Sequence, residues 1–170
     1  MLQDKGGRNI FATFNHKEIM SDIRIKKIES NIILDKCADI LVDAYNSEPW
    51  NDNWTKEKAL EKLICFYDSP KFIGWTAWDN DKLLGCCVGN IEPYYLGDYF
   101  YLKEMFVYHN SQKKGIGARL MTTLKNHLHT IDIKTIILFT GMDFFPFEFY
   151  IKTGFTVMED MRMMNFGQKE

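Results

Sequence analysis

The sequence feature that most constrains the fold is a change of hydrophobic period within one short stretch. From Tyr99 to Tyr108 the chain is rich in aromatic and β-branched residues, which predicts a long β-strand. Apolar residues then recur at helical spacing from Ile116 to Leu128. A polar loop ending in Lys113-Lys114-Gly115-Ile116-Gly117 joins the two patterns. The chain must therefore turn from a strand directly into a helix at this loop.

The patterns on either side predict a mixed sheet covered by helices. Hairpin-like strands come first and a strand–helix–strand crossover follows, so most strands are expected to be antiparallel. The fold class is α/β (α+β), with a central sheet of about six to seven strands and helices on both faces. The predicted strands are Ile23–Lys26, Lys71–Trp78, Leu83–Ile91, Tyr99–Tyr108, Thr135–Thr140, Phe155–Met158 and Met161–Asn165. The first predicted helix is Leu34–Ala44, and the second starts after Thr55 and ends before Asp68. The third and fourth predicted helices are Ile116–Leu128 and Pro146–Thr153.

Length and composition indicate one domain with a true core. The chain has 170 residues, of which 46% are hydrophobic and 26% charged. Residues 1–19 show no clear period and are interpreted as an N-terminal extension or leader, with residues 20–170 forming the single domain. The alternative is a short outer element that packs through Phe11 and Phe14.

Charge and cysteine usage exclude several functional classes. Lys and Arg number 21 against 23 for Asp and Glu, a net charge of −2, so binding to nucleic acid through phosphate neutralisation is not expected. The longest apolar runs fall short of a membrane span, and no secretion signal is recognised. The four cysteines lack zinc or C-x-x-C spacing and are interpreted as reduced core residues of a cytoplasmic protein. No metal site is expected.

The polar loop that joins the predicted strand to the predicted helix at Gly115-Ile116-Gly117 has two physical interpretations. Backbone N–H groups at a helix N-terminus bind anions, and glycines let a phosphate approach the chain. Lys113 and Lys114 add positive charge, but no Walker-type Gly-Lys-Ser/Thr follows. The alternative is a simple strand-to-helix turn whose glycines serve close packing.

Two motifs resemble those of a known family. Gln112-x-x-Gly115-x-Gly117 after the strand resembles the acetyl-CoA motif of the GNAT N-acetyltransferases, and Phe149-Tyr150-Ile151-Lys152-Thr153-Gly154-Phe155 resembles that family's F-Y-x-K-x-G-F segment. The motifs are separated by one helix and one strand, as in the family. The resemblance spans about Ile23 to Asn165 and implies a GNAT fold, splayed between strands 4 and 5.

The resemblance implies acetyl-CoA as a cosubstrate. Backbone amides of the loop would hold the pyrophosphate, and the preceding strand would pair with the pantetheine arm. One departure is Asp143, which stands where many members carry an asparagine that contacts the cofactor. The cofactor-binding residues so implied are Met105, Phe106, Val107, Gln112, Lys113, Lys114, Gly115, Ile116, Gly117, Ala118 and Asp143.

Tyr150 and Glu104 are the catalytic candidates. Tyr150 matches the tyrosine that family members place near the sulfur as general acid, and the alternative is a core tyrosine. In an extended strand Glu104 shares a face with Leu102 and Phe106. A carboxylate on such an apolar face is costly unless it is paired or has a function. Either it is the general base that removes the amine proton, or it is a structural carboxylate paired with a lysine or a backbone amide.

The acceptor is expected to meet the loop between the first two helices. Glu48, Trp50, Asp52 and Trp54 suit a cationic amine through charge and aromatic faces, although the tryptophans alone could hold the loop to the core. The predicted function is an N-acetyltransferase that acts on a small cationic amine by direct attack on the thioester. A protein or peptide amine is the second acceptor class, and a catalytically silent acyl-CoA-binding module is the other functional class. The aromatic content of 15% also leaves apolar surface that a homodimer could cover.

Overall fold

The computed structural model describes residues 23–143 and 145–167. The predicted N-terminal extension, residues 1–19, lies outside the described residues. Nine helices and strands of regular geometry occur within them, with short 3-10 turns at Asn31–Ile33 and His109–Ser111. In chain order they are β1 (Ile23–Lys27), α1 (Leu34–Tyr45), α2 (Lys56–Tyr67), β2 (Phe72–Asp79), β3 (Lys82–Glu92), β4 (Tyr99–Val107), α3 (Ile116–Thr130), β5 (Thr135–Ile137) and α4 (Phe145–Lys152).

The five described strands form one mixed sheet in the order β1-β2-β3-β4-β5. The first four pair antiparallel with their neighbours, and β5 pairs parallel with β4 after the α3 crossover. The mixed architecture is therefore confirmed. The described part of the chain has five strands, however, and not six to seven.

The two C-terminal strands predicted at Phe155–Met158 and Met161–Asn165 do not form in the described residues. Phe155 packs against the core on the α3 side, but the later apolar side chains face solvent, with exposed fractions of 80% for Met163 and 89% for Met164. Alternation predicts a strand only where a neighbouring strand takes the backbone groups and a core covers one face. This segment has the pattern without that burial, which is why the prediction was wrong.

The sheet separates two hydrophobic cores. One face packs against α1 and α2, whose buried Leu34, Leu41 and Leu63 are at most 1% exposed. The opposite face packs against α3 through Leu120, Met121 and Leu124, and against α4 through partly buried aromatic residues. Helices therefore cover both faces, as the sequence predicts.

A β-bulge in β4 changes which face its side chains occupy. Val88 lies opposite Glu104 while Gly89 lies opposite Leu102, so Lys103 is an extra residue between two ladder positions. A Cβ at Gly89 would lie 2.1 Å from the carbonyl oxygen of Tyr101, so the partner strand needs glycine there.

The bulge corrects one prediction about Glu104. Leu102 belongs to the core on the α3 side, whereas Phe106 belongs to the core on the α1–α2 side. Glu104 bonds with residues of α1 and α2 and so shares its face with Phe106 but not with Leu102. Strict alternation along β4 fails because it does not allow for the extra residue.

The strands β4 and β5 separate after three paired positions. Tyr99, Phe100 and Tyr101 pair with Thr135–Ile137, and β4 then continues to Val107 beyond the end of β5. The sheet is thus open at the carboxyl end of β4, next to the start of α3.

Candidate active site

A cleft of about 560 Å³ occupies the gap between β4 and β5. The carboxyl half of β4, the first turn of α3, the segment after β5 and the start of α4 form its walls. Tyr45 and Trp50, from the end of α1 and the loop that follows, close one side. The site therefore lies where the sheet ends and helix α3 begins.

The loop that leads into α3 has the backbone geometry of an anion site. Lys113 and Gly115 have positive φ angles of 58° and 80°, and Gly115 caps the helix without a side-chain hydrogen bond. The N–H of Arg119 donates to the carbonyl of Gly115 at 3.1 Å. The N–H groups of the preceding turn have no carbonyl one turn back, and such groups attract anions together with the helix dipole.

Hydrogen bonds fix the shape of this loop. The backbone N–H of His109 donates to the Asp43 carboxylate at 2.6 Å, which ties the loop to α1. The Gln112 side chain donates to the carbonyl of Val107 at 3.1 Å, and Lys114 donates to the carbonyl of Asn110 at 2.7 Å. Gln112, the first residue of the acetyl-CoA motif, therefore closes the loop on the end of β4.

Gly117 lies on the cleft wall, close to Met105 of β4 and Phe149 of α4. A Cβ added there would lie 3.3 Å from Met105 Cε and 3.5 Å from the Phe149 ring, so a side chain would fill the passage between β4 and α4. Lys113 lines the same cleft with its ammonium 5.9 Å from the Phe145 ring. An uncapped helix terminus beside a cation suits a pyrophosphate, and the unpaired edge of β4 next to it suits a narrow arm with amide groups.

Glu104 is held from two sides. Tyr45 donates its phenolic O–H to Oε2 at 2.6 Å, and the Lys62 ammonium lies 2.6 Å from Oε1. The Glu104 side chain is 10% exposed and lines the cleft. The structure thus contains the lysine pair considered as the alternative role for this carboxylate. Lone pairs remain on both oxygens, since each carboxylate oxygen can accept more than one hydrogen bond.

Tyr150 is a protonated phenol in the same cleft. Burial raises the pKa of Tyr150 well above its ordinary value, and the nearby Glu104 charge adds to this effect. Tyr45 behaves in the same way, because burial first and then Glu104 raise its pKa. Two phenols that keep their protons therefore lie beside one carboxylate.

Most predicted cofactor residues line the cleft. Nine do so: Met105, Phe106, Val107, Gln112, Lys113, Gly115, Ile116, Gly117 and Ala118. Lys114 bonds within the loop instead, and Asp143 is an exposed turn residue outside the lining.

The predicted acceptor residues divide into two groups. Trp50 lines the cleft and packs edge-on against Tyr45, with ring centroids 5.7 Å apart. Glu48, Asp52 and Trp54 lie outside the lining. Asp52 accepts a hydrogen bond from the Trp54 indole at 3.0 Å, and Trp54 packs against the core on the α1–α2 side.

Sequence reasoning missed Tyr45 and Lys62 as site residues. Tyr45 lies one residue beyond the predicted helix Leu34–Ala44 and one helical turn after Leu41, a position typical of a core residue. Lys62 stands among alternating charges of α2 and has no sequence signal that separates it from exposed lysines. Only the packing of both helices over the bulged strand brings them to Glu104.

Two searches for other kinds of site gave no candidates. Within residues 23–143 and 145–167, no group of three or more His, Cys, Asp or Glu side chains could hold a metal ion. In the same ranges no helix combines the length and the apolar character needed to cross a bilayer.

The sequence matches the Acetyltransferase (GNAT) family over residues 34–155. The chain therefore belongs to the GNAT acetyltransferase family, and the resemblance carried by the two motifs is confirmed. A search of curated protein sequences found no match.

Solved structures share the fold at low sequence identity. An aminoglycoside acetyltransferase from an uncultured soil metagenomic sample, in complex with trehalose, is 17% identical with a TM-score of 0.69, and the match covers 89% of this chain and 99% of that chain. An integron cassette protein from the mobile metagenome of V. cholerae is 19% identical with a TM-score of 0.72, covering 86% and 93%. The aminoglycoside N-acetyltransferase AAC(6')-Iy in complex with CoA is 12% identical with a TM-score of 0.66, covering 86% and 95%.

Proposed function

We propose that this protein is an acetyl-CoA-dependent N-acetyltransferase that acts on a small cationic amine. The observation that carries the proposal is one continuous cleft with an uncapped helix N-terminus on its wall and with Glu104 and Tyr150 on the same lining. Membership of the GNAT family supports the reaction class. Acetyl-CoA, when bound, supplies an activated acetyl thioester.

In this proposal the chain's own residues position the reactants and move two protons. The loop from Gln112 to Ala118 binds the pyrophosphate, and the unpaired edge of β4 from Met105 to Val107 binds the pantetheine arm. Glu104 accepts a proton from the amine, which is almost fully protonated at neutral pH and cannot attack in that form. Tyr150, whose raised pKa keeps the phenol protonated before the reaction, donates its proton to the departing thiolate.

A small amine is favoured as acceptor by the site and by the relatives. Trp50 offers an aromatic edge to the cleft beside Tyr45. Two of the three structural neighbours described above are aminoglycoside acetyltransferases, and another structure of the soil metagenomic enzyme holds sisomicin. An amine with one or more positive charges is therefore the first acceptor class, and a peptide amine is the second.

The test is release of free thiol from acetyl-CoA over a panel of polyamines, amino acids, amino sugars, aminoglycosides and peptides. We expect turnover with at least one small amine. Glu104→Gln and Tyr150→Phe should each lower kcat by about 10²–10⁴-fold, the usual range for removal of a general acid or base. The KM for acetyl-CoA should change little, because neither side chain belongs to the pyrophosphate loop.

Two results would contradict the proposal in different ways. Binding of acetyl-CoA without thiol release for any amine would favour a silent acyl-CoA-binding module. Turnover of peptides alone would reject the small-amine acceptor but would support acetyl transfer as the reaction.

A further inference from the structure

Lys62 reaches the site from outside the cleft. Its side chain is not part of the cleft lining, yet its ammonium lies 2.6 Å from Glu104 Oε1. Tyr45 bonds the other oxygen, also at 2.6 Å. One group from α1 and one from α2 therefore fix both oxygens of a carboxylate carried by β4.

The Lys62 ammonium has a defined position. It lies 4.9 Å from the centroid of the Trp54 ring and 5.9 Å from that of Phe66, within the range of cation–π attraction. Asn46 holds the Trp54 backbone with two hydrogen bonds, of 2.8 and 2.9 Å. The aromatic surface under Lys62 is thus itself anchored to the end of α1.

Lys62 is also the cation that balances Glu104. The Glu104 charge raises the pKa of the phenols of Tyr45, Tyr101 and Tyr150 and of the thiol of Cys86, all of which are uncharged when protonated. Of the lysines that line the cleft, Lys103 pairs with Glu92 at 3.1 Å, and Lys113 lies beside Phe145. Loss of this cation would disfavour the charged form of a carboxylate that is only 10% exposed.

We propose that Lys62 is a positioning residue for acetyl transfer, which keeps Glu104 ionised and aims it at the acceptor amine. The inference rests on the proposed function. In the step it serves, the ammonium of the acceptor first loses one proton to Glu104 and becomes a neutral amine. The N–C bond then forms and the C–S bond breaks, the sulfur receives the proton of Tyr150, and the Tyr150 phenolate takes up the second proton that leaves the nitrogen. Lys62 keeps its protons throughout.

The same ion pair defines how Glu104 meets the acceptor. Because the pair carries no net charge, Glu104 acts on the proton of the amine and contributes little long-range attraction to a cation. Acceptor affinity must then depend on other groups. Loss of Lys62 should therefore affect the catalytic step and its pH dependence more than the binding of acetyl-CoA.

The experiment compares kcat and KM across pH for the parent protein, Lys62→Met, Lys62→Arg and Lys58→Met. Lys58 is the matched control, because it lies on the same helix and pairs at 2.8 Å with exposed Glu61. We expect K62M to lower kcat at least tenfold and to move the acid limb of the kcat profile upward by about one pH unit or more. K62R should stay within about threefold of the parent, and K58M should match it.

Several results would overturn the inference. A K62M protein with the parent's kcat and pH profile would show that Lys62 has no part in the reaction. A lower kcat with an unshifted profile, or no rescue in K62R, would show a merely structural role. If K62M does not fold, Lys62→Gln takes its place with the same expectations.

A stability cycle provides a readout that needs no substrate. The melting temperatures of K62M, E104Q and the double variant are compared with that of the parent. Lys62→Met should lower the melting temperature clearly more when Glu104 is present than in the E104Q background, because removing one partner leaves a buried charge. Equal costs would reject the pairing, whereas an inactive parent protein would reject the proposed function instead.

Discussion

At the scale of single residues, the cleft brings one carboxylate together with two phenols whose pKa values are raised. Burial is the main cause of the raised pKa of both Tyr45 and Tyr150, and the Glu104 charge acts in the same direction. Because an unfolded phenol ionises near pH 10.0, this shift links folding to pH. The stability that these groups contribute is complete below that pH. It is lost as the pH rises toward the higher pKa of the folded state.

This linkage predicts a loss of stability in alkaline solution. The melting temperature should fall above about pH 10, where unfolding releases protons that the folded phenols retain. Tyr150→Phe should make this fall shallower, because the variant has one fewer buried phenol. Tyr95→Phe is the control, since Tyr95 is 82% exposed and should leave the slope unchanged. Identical slopes for parent and Y150F, measured by calorimetry or circular dichroism, would contradict the assigned burial of Tyr150.

Residue by residue, the sequence predicted the groups that a motif carries and missed those that packing carries. Tyr150 and the Gln112–Ala118 loop were found because local sequence determines both motifs, and the structure places them on one cleft. Tyr45 and Lys62 were missed because their contact with Glu104 joins residues 59 and 42 positions away, respectively, in sequence number. No local pattern reports such a contact.

At the scale of elements, the junction of β4 and α3 governs the cleft. The positive φ of Gly115 starts the helix abruptly, and Gly117 keeps the passage beside Met105 and Phe149 free of a side chain. Helix α3 has 15 residues and packs its buried stripe on the sheet, so its N-terminus is held firmly. Binding at this terminus should therefore stabilise the whole fold.

Acetyl-CoA should raise the melting temperature, because it binds the folded state. A free concentration 100 times Kd contributes about 2.7 kcal/mol, which corresponds to a shift of roughly 5–10 °C for a chain of this size. Gly117→Asp should abolish the shift, because its side chain fills the passage with a negative charge near the phosphate site. Gly167→Asp adds the same charge where a Cβ meets nothing within 4 Å, and the shift should persist. A normal shift in G117D would remove Gly117 from the cofactor site.

Most of the elements that the sequence predicted correctly have an apolar period that matches their burial, although α4 forms without a fully buried residue. Helices α1, α2 and α3 have buried apolar stripes, and β2 to β4 have cores on both faces. The C-terminal segment has strand-like alternation, but Met163 and Met164 are exposed. Alternation is necessary for a half-buried strand but does not supply its partner.

At the scale of the whole molecule, charge is separated around the cleft. Glu104 is balanced by Lys62 within the fold, whereas Glu48 and Asp52 lie in the exposed loop beyond Trp50. The whole chain carries a net charge of only −2, so long-range attraction of a cationic acceptor depends on where acids cluster. Glu48 and Asp52 stand two positions before and two positions after Trp50, which lines the cleft.

Glu48→Gln combined with Asp52→Asn should raise KM for a cationic amine several-fold and weaken its dependence on salt. The effect should be graded, since exposed cation–π and charge contacts contribute about 0.5–1 kcal/mol each. The KM for acetyl-CoA should not change. Asp81→Asn with Asp132→Asn removes two exposed charges at other turns and should leave the amine KM as it is. If the loop variant has the same KM values as the parent for charged and for neutral amines, the loop has no role in acceptor recognition.

Lys103 is an extra residue in β4, because Glu104 and Leu102 lie opposite consecutive residues of β3. Every side chain from Glu104 to Val107 points to the face opposite to the one it would occupy without that residue. Deleting a single residue here would exchange the two faces and turn the carboxylate away from α1 and α2. In an exposed turn the same deletion would shorten a connection only. Among related sequences, insertions and deletions should therefore occur in the turns but not in this strand. A single deletion in the strand should not be tolerated even if the remaining residues are chemically similar.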